Sequence, residues 1–277
     1  MSPPWHSFFI IYLNLFVLVL LGMKVEKIAI SIDPYLLREI EAKVDGIQIR
    51  SRSQAIEFLL RKALSGDVTT AFLLAGGIFG EKKAMNLHNG NPSIVNLIEW
   101  MKSYGINKFI ISVNYNENLI RKTLGDGSKF NVKITYLLES SPCGTAGAIK
   151  GASSLINSPF IVANCDSTFG FDLSSLLNYH KKMSGTVTLA IRETSKPTEY
   201  GVVEMEGDNI ISFKEKPSSS KTNLVSTGIY VFNPSVLSLL PENGMLERDI
   251  FPYLAERNQL KGFIFTSKWE DLERLKK

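Results

Sequence analysis

From Lys27 to Ile32 apolar and polar positions alternate without a break, with Ile28, Ile30 and Ile32 on one side and Lys27, Ala29 and Ser31 on the other. A period of two predicts a half-buried strand. Asp33-Pro34 follows as an N-cap and a proline at the first helical position. Leu36, Leu37, Ile40 and Val44 then recur at helical spacing until Gly46. A second helix opens at Ser51-Arg52-Ser53-Gln54, where Ser51 and Gln54 fit a capping box. Its apolar face is Ala55, Ile56, Leu59, Leu60, Ala63 and Leu64. A strand and two helices of this size cannot bury their own apolar faces, and a lone strand leaves an open edge. The pattern therefore predicts a homodimer in which two strands pair and the helices interlock.

After Val68 the rhythm changes to strands alternating with helices, the mark of an α/β domain with a mainly parallel, mixed sheet. Strands are predicted at 70–74, 109–113, 132–137, 160–164 and 186–191, with helices at 91–104, 116–124, from about Thr145, and at 173–182. Shorter strands follow at 202–205, 210–214 and 225–232, then two short helices and a last strand at 262–265. No internal repeat interrupts this order. The organisation predicted is an apolar segment at 1–23, a small unit at 24–66 and the α/β domain at 68–277.

The apolar segment leaves two readings open. Phe8 to Met23 carries no charge and is interrupted by Asn14. With Trp5 to Ser7 it reaches the roughly 20 residues of a spanning helix. Lys24 and Lys27 just after it would keep the remainder of such an anchored chain in the cytoplasm. The other reading starts translation at Met23 and gives a cytoplasmic protein. A membrane partner is expected only if residues 5–23 are translated. Composition changes little: net charge is +4 and hydrophobic residues make up 44%, ordinary for a globular chain. Cys143 and Cys165 lack metal spacing and the density of a disulfide scaffold, so free thiols are expected.

Residues 25 to 64 resemble a ribbon-helix-helix domain of the repressor type, on the strength of Lys27 to Asp33, Leu36-Leu37 and Ser51 to Ile56. The resemblance implies a two-stranded ribbon entering the major groove of double-stranded DNA. Lys27, Ala29 and Ser31 would meet base edges, and Ser51, Arg52 and Ser53 would bring a helix N-terminus to a phosphate. That exposed face is thin, since only Lys27 and Ser31 offer hydrogen bonds. Dimerisation without DNA binding is the alternative.

The rest of the chain resembles the sugar-1-phosphate nucleotidylyltransferases. The segments that carry the match are Leu74-Ala75-Gly76-Gly77, Pro142 to Gly147, Asn164-Cys165-Asp166, Tyr200 to Val203, Phe213 to Pro217, Thr227 to Phe232 and Trp269-Glu270-Asp271, in the family's order. The resemblance implies a Rossmann-like fold and a ligand that is a nucleotide, a sugar phosphate or a nucleotide sugar. Leu74, Ala75, Gly76, Gly77 and Gly144 would take the nucleotide. Tyr200, Gly201, Glu215 and Thr227 would line the sugar. Asp166 and Asp271 would share a Mg²⁺, and Lys83, Asp166 and Lys216 would be the catalytic set. By their residues alone, Asp166 could equally cap a helix and Glu215-Lys216 form a solvated turn.

One departure weighs against turnover. The family's loop after the first glycines ends in Arg and later Pro-Lys-Pro, whereas here Gly76-Gly77-Ile78-Phe79-Gly80-Glu81-Lys82-Lys83 is shorter and lacks the arginine. Lys83 falls on the signature lysine, and Glu81 is expected to bring a carboxylate near phosphates. Losing one cation at a transferring phosphoryl group costs on the order of 10³–10⁵ in rate. Two functions follow: a transcriptional regulator sensing a nucleotide sugar or sugar phosphate, with weak or absent transfer, or a working enzyme that uses its N-terminal unit to dimerise.

Overall fold

The computed structural model describes residues 29–46, 49–64, 68–77, 79–114, 118–272 and 274. The apolar segment and Lys27 lie outside them. No helix among the described residues is long and apolar enough to cross a membrane. The chain forms two compact units, Met1–Ala55 and Ile56–Lys277.

In the first unit, α1 (Pro34–Glu41) begins where predicted: the Asp33 carboxylate accepts hydrogen bonds from the N–H groups of Tyr35 and Leu36, with Pro34 at the first turn. Helix α2 (Arg52–Leu64), whose first turn alone falls in that unit, opens on a variant of the expected box. Ser51 Oγ accepts from Gln54 N–H at 3.3 Å, but Gln54 Oε1 reaches past Ser51 to the N–H of Arg50 at 2.7 Å. Residues 29–32, expected as a strand, carry no strand pairing in this single chain, and Ile30 is 55% exposed. A strand is defined by its hydrogen-bonded neighbour, and one copy supplies none.

The second unit is built on a nine-stranded sheet. In chain order the strands are β1 (Thr70–Leu74), β4 (Lys108–Val113), β5 (Lys133–Leu138), β6 (Phe160–Asn164), β8 (Val187–Glu193), β9 (Gly201–Glu206), β10 (Asn209–Glu215), β11 (Leu224–Phe232) and β12 (Leu260–Ile264). Their spatial order is β5-β4-β1-β6-β11-β8-β12-β10-β9. The first four are parallel, β11 runs antiparallel to both β6 and β8, and β12 is parallel to β8. Two short pairs complete it: β2 (Leu87–His88) with β3 (Asn91–Pro92), and β7 (Ser167–Phe169) with β13 (Trp269–Asp271).

Both faces of the central strands are covered, which explains why they read as unbroken apolar runs. Ala71 and Leu73 of β1, with Ile161 and Ala163 of β6, belong to one core with α4 (Ser93–Lys102), α5 (Asn118–Leu124) and α7 (Leu173–Lys182). Phe72, Phe160 and Val162 point into the other, with α6 (Gly144–Gly151) and α8 (Phe251–Ala255). Each of the larger side chains, such as Leu73 and Phe160, contributes roughly 1.5–3 kcal/mol. A short helix the sequence pattern does not predict, α3 (Gly80–Ala84), fills the shortened loop.

Candidate active site

The parallel strands β1, β4 and β6 all end at the same edge, where open α/β sheets place their ligands. Beyond β1 lies the turn Ala75-Gly76-Gly77, held by Asn114, whose Nδ2 donates to Gly77 O at 2.6 Å. Beyond β6 lies Cys165-Asp166. The β7–β13 pair sets Asp271 opposite Ser167, and the Leu272 N–H donates to Asp166 O at 2.8 Å, so the two aspartates arrive side by side from distant parts of the chain. Glu215 ends β10 opposite Gly201 at the start of β9. Thr227 sits in the irregular stretch of β11 where pairing with β8 shifts register. Gly144 opens α6 at φ 76°, and a Cβ there would lie 2.2 Å from Gly244 O, so no other residue fits.

Two cavities meet at this edge. The larger, about 700 Å³, is lined by Leu74, Gly76, Gly77, Glu139, Gly144 and Thr145 on one side and Met245 and Arg248 on the other. The smaller, about 150 Å³, is lined by Tyr200, Gly201, Thr227, Trp269, Asp271 and Arg274. Lys83, Asn164, Asp166, Glu215, Lys216 and Glu247 border both. The structure thus gathers the predicted residues of the α/β domain at one edge, except that Ala75 is buried and lines neither cavity. In the first unit, Ala29, Ser31, Ser51, Arg52 and Ser53 are exposed, and Arg52 is ion-paired with Glu41.

The expectation for Glu81 is corrected. Helix α3 turns it away from both cavities, and its Oε1 accepts a hydrogen bond from Leu119 N–H at 3.1 Å, at the start of α5. A carboxylate is favoured beside the unpaired N–H groups of a helix's first turn, and α3 is long enough to carry it there. Lys83, one turn portion later, faces the opposite way. Its Nζ is 3.3 Å from Asp166 Oδ2. The buried Ser93 hydroxyl lies within 3.0 Å of the carbonyls of Lys83, Ala84 and Cys165, tying α3 to the end of β6.

Two carboxylates that the sequence does not mark, Glu139 and Glu247, shape the chemistry beside the expected Tyr200 and Trp269. Glu139 packs against Gly76, where an added Cβ would fall 2.0 Å from its Oε1. Burial raises its pKa, opposed by the Ser112 hydroxyl and the Gly77 backbone. Glu247 lies on an irregular turn, Leu246–Ile250, and accepts from the Thr145 hydroxyl at 2.8 Å. Burial raises its pKa too, with the Thr145 hydrogen bond opposing. The Tyr200 phenol is pushed up to about 12, first by burial and then by the charges of Asp271 and Asp166. The buried Trp269 indole N–H has no hydrogen-bond partner among the described residues. Glu139 packs on a turn more than sixty positions earlier, a contact that no local pattern marks. Glu247 sits in a turn with no periodicity.

Among the described residues no cluster of three His, Cys, Asp or Glu side chains forms a ready metal site. Asp166 and Asp271 nonetheless fit Mg²⁺, which is commonly held by one or two carboxylates with substrate phosphates completing the shell.

Residues 79–276 match the family model described as "Nucleotidyl transferase". The chain belongs to the nucleotidyl transferase family. It is 32% identical over 216 residues to the mannose-1-phosphate guanylyltransferase catalytic subunit beta of Dictyostelium discoideum, covering 73% of this chain and 60% of that protein. It is 32% identical over 189 residues to the mannose-1-phosphate guanyltransferase of Saccharomyces cerevisiae, covering 65% and 52%. The chain therefore spans about half to three-fifths of the length of these relatives. Its nucleotidyl transferase fold is similar to a putative glucose-1-phosphate thymidylyltransferase from Bacillus anthracis, with a TM-score of 0.65 at 21% identity, covering 73% of this chain and 89% of that one. These matches concern the α/β domain.

Proposed function

We propose that the α/β domain transfers guanylyl from GTP to a hexose-1-phosphate of the mannose type, releasing pyrophosphate. The observation that carries this is the pair of cavities sharing Lys83, Asp166, Glu215 and Lys216 at their boundary, one cavity sized for a nucleotide and one for a sugar. A reaction that joins two ligands needs its charged groups at the seam.

Base choice follows from Glu139. An ionised carboxylate only accepts hydrogen bonds. Guanine alone presents two adjacent donors, N1–H and N2–H, whereas the other bases offer at most one donor beside acceptors. The relatives named mannose-1-phosphate guanylyltransferases agree with that base. Across the seam, Lys216 holds the sugar phosphate, while Glu215, Tyr200, Gly201 and Thr227 contact hydroxyls. The sugar phosphate oxygen attacks the α-phosphorus and pyrophosphate leaves. Lys83 neutralises charge on the transferring group, the main source of rate in phosphoryl chemistry. Mg²⁺, when bound by Asp166 and Asp271, would add further neutralisation there.

Of the two arguments the shortened loop offers for a sensor, the carboxylate falls away because Glu81 is directed elsewhere, and the missing arginine leaves Lys83 as the loop's cation at the seam. The test is pyrophosphate release from GTP and mannose-1-phosphate with Mg²⁺. Turnover is expected, reduced at least about 10³-fold by Asp166→Ala. Tight binding of a nucleotide sugar with no release from any NTP and sugar-phosphate pair would instead favour the sensor.

A further inference from the structure

Each aspartate proposed to hold the divalent cation already has a cation of the chain's own. Asp166 has Lys83. Asp271 has Arg274, whose Nε donates to Asp271 Oδ2 at 3.0 Å. Arg274 is held by more than this contact. Its Nη2 donates to Glu199 O at 2.6 Å, Nη1 pairs with the Glu199 carboxylate, and the guanidinium lies 4.4 Å from the centre of the Tyr200 ring. Tyr200 is in turn hydrogen-bonded to Asp271.

We infer that Arg274 is a resident counter-ion for Asp271 that competes with the divalent cation and so sets metal affinity at the site. Neighbouring carboxylates repel each other, and a nearby cation keeps both ionised. The guanidinium, with five donors in a planar fork, can give up Asp271 and keep Glu199 and the Tyr200 face. Its release therefore leaves no buried charge without a partner. Arg274 is a positioning residue, acting on the metal through Asp271. The inference rests on the reading that Asp166 and Asp271 are the metal ligands, and it does not require turnover.

Titrating Mn²⁺ into the full chain without nucleotide, with free Mn²⁺ read by electron paramagnetic resonance, tests it. Arg274→Gln is expected to bind Mn²⁺ roughly two- to fivefold more tightly, the range set by a partly exposed ion pair. Arg274→Lys, which keeps the charge and loses the fork, should fall between the two. In an Asp271→Asn background Arg274→Gln should change nothing. Unchanged or weaker binding in Arg274→Gln overturns the inference, as does an enhancement that persists without Asp271, or no Mn²⁺ binding by either protein. Should Arg274→Gln fail to fold, Arg274→Lys alone decides, and unchanged affinity there overturns it. A shift in affinity without pyrophosphate release would count against the proposed reaction and leave the counter-ion standing; release without a shift would do the reverse.

Discussion

Glu139 carries more consequence than its neighbours in the glycine turn. Glu139→Gln replaces one acceptor oxygen with a donor and so can satisfy only one of guanine's two N–H groups. Hydrogen bonds to a charged group are worth about 1.5–3 kcal/mol, so kcat/KM for GTP should fall roughly 10- to 150-fold while KM for the sugar phosphate stays within about twofold. Steady-state kinetics with each substrate varied in turn checks this, and equal losses for GTP and ATP would show that Glu139 does not read the base. The sign with pH is also fixed. Burial raises the Glu139 pKa, so the acceptor-only form disappears at a higher pH than for an exposed glutamate as acid is added, and preference for guanine should weaken with it. Why Glu139 escaped a reading of the sequence is physical. Its role depends on packing against Gly76, more than sixty positions earlier in the chain, and no local pattern marks such a contact. The aspartates and the Glu215-Lys216 pair were legible because they sit in segments whose order is itself a signature.

At the scale of elements, the strands were readable because a period of two, or an unbroken apolar run of strand length, follows directly from which faces are buried. Predicted and observed bounds differ by a residue or two at several strands, as at β8, where the ladder runs on through the polar Arg192 and Glu193 that an apolar run cannot mark. Helix α3 was not legible. Five residues, Gly-Glu-Lys-Lys-Ala, are too few to show a period, and its form depends on Ser93 from the next helix. Ser93→Ala removes a hydroxyl whose one proton lies within reach of two carbonyls of α3 and that of Cys165, just past β6. It should cost about 1–3 kcal/mol in urea unfolding and lower kcat more than it raises either KM, since Lys83 is then less firmly set beside Asp166. Stability lost with kcat unchanged would separate α3 from the chemistry.

For the whole molecule, the open question is what the first unit does for the second. Two capped helices are present, and the ribbon expected before them needs a second copy to form. If it does form, the full chain should sediment at about twice its 30.9 kDa mass, independent of ligand, and Ile30→Asp should return it to a monomer. A monomer at micromolar concentration in analytical ultracentrifugation would remove the ribbon reading and the double-stranded DNA partner that depends on it. A dimer that retains no sequence-selected DNA would leave dimerisation as the unit's role. Eight basic against six acidic residues between Lys24 and Leu64 give the unit a small positive excess, too small to decide the matter by charge.

The pairing of β7 with β13 has a consequence in time as well as space. Thr168 and Glu270, bonded across that pair, stand 102 positions apart. During synthesis the sheet strands from β1 to β6 emerge long before Asp271 exists, and closing so long a loop is slow relative to local structure. The glycine turn and Asp166 can therefore be in place on a nascent chain whose larger cavity still lacks Met245 and Arg248, and Asp271 joins Asp166 only with the final strand.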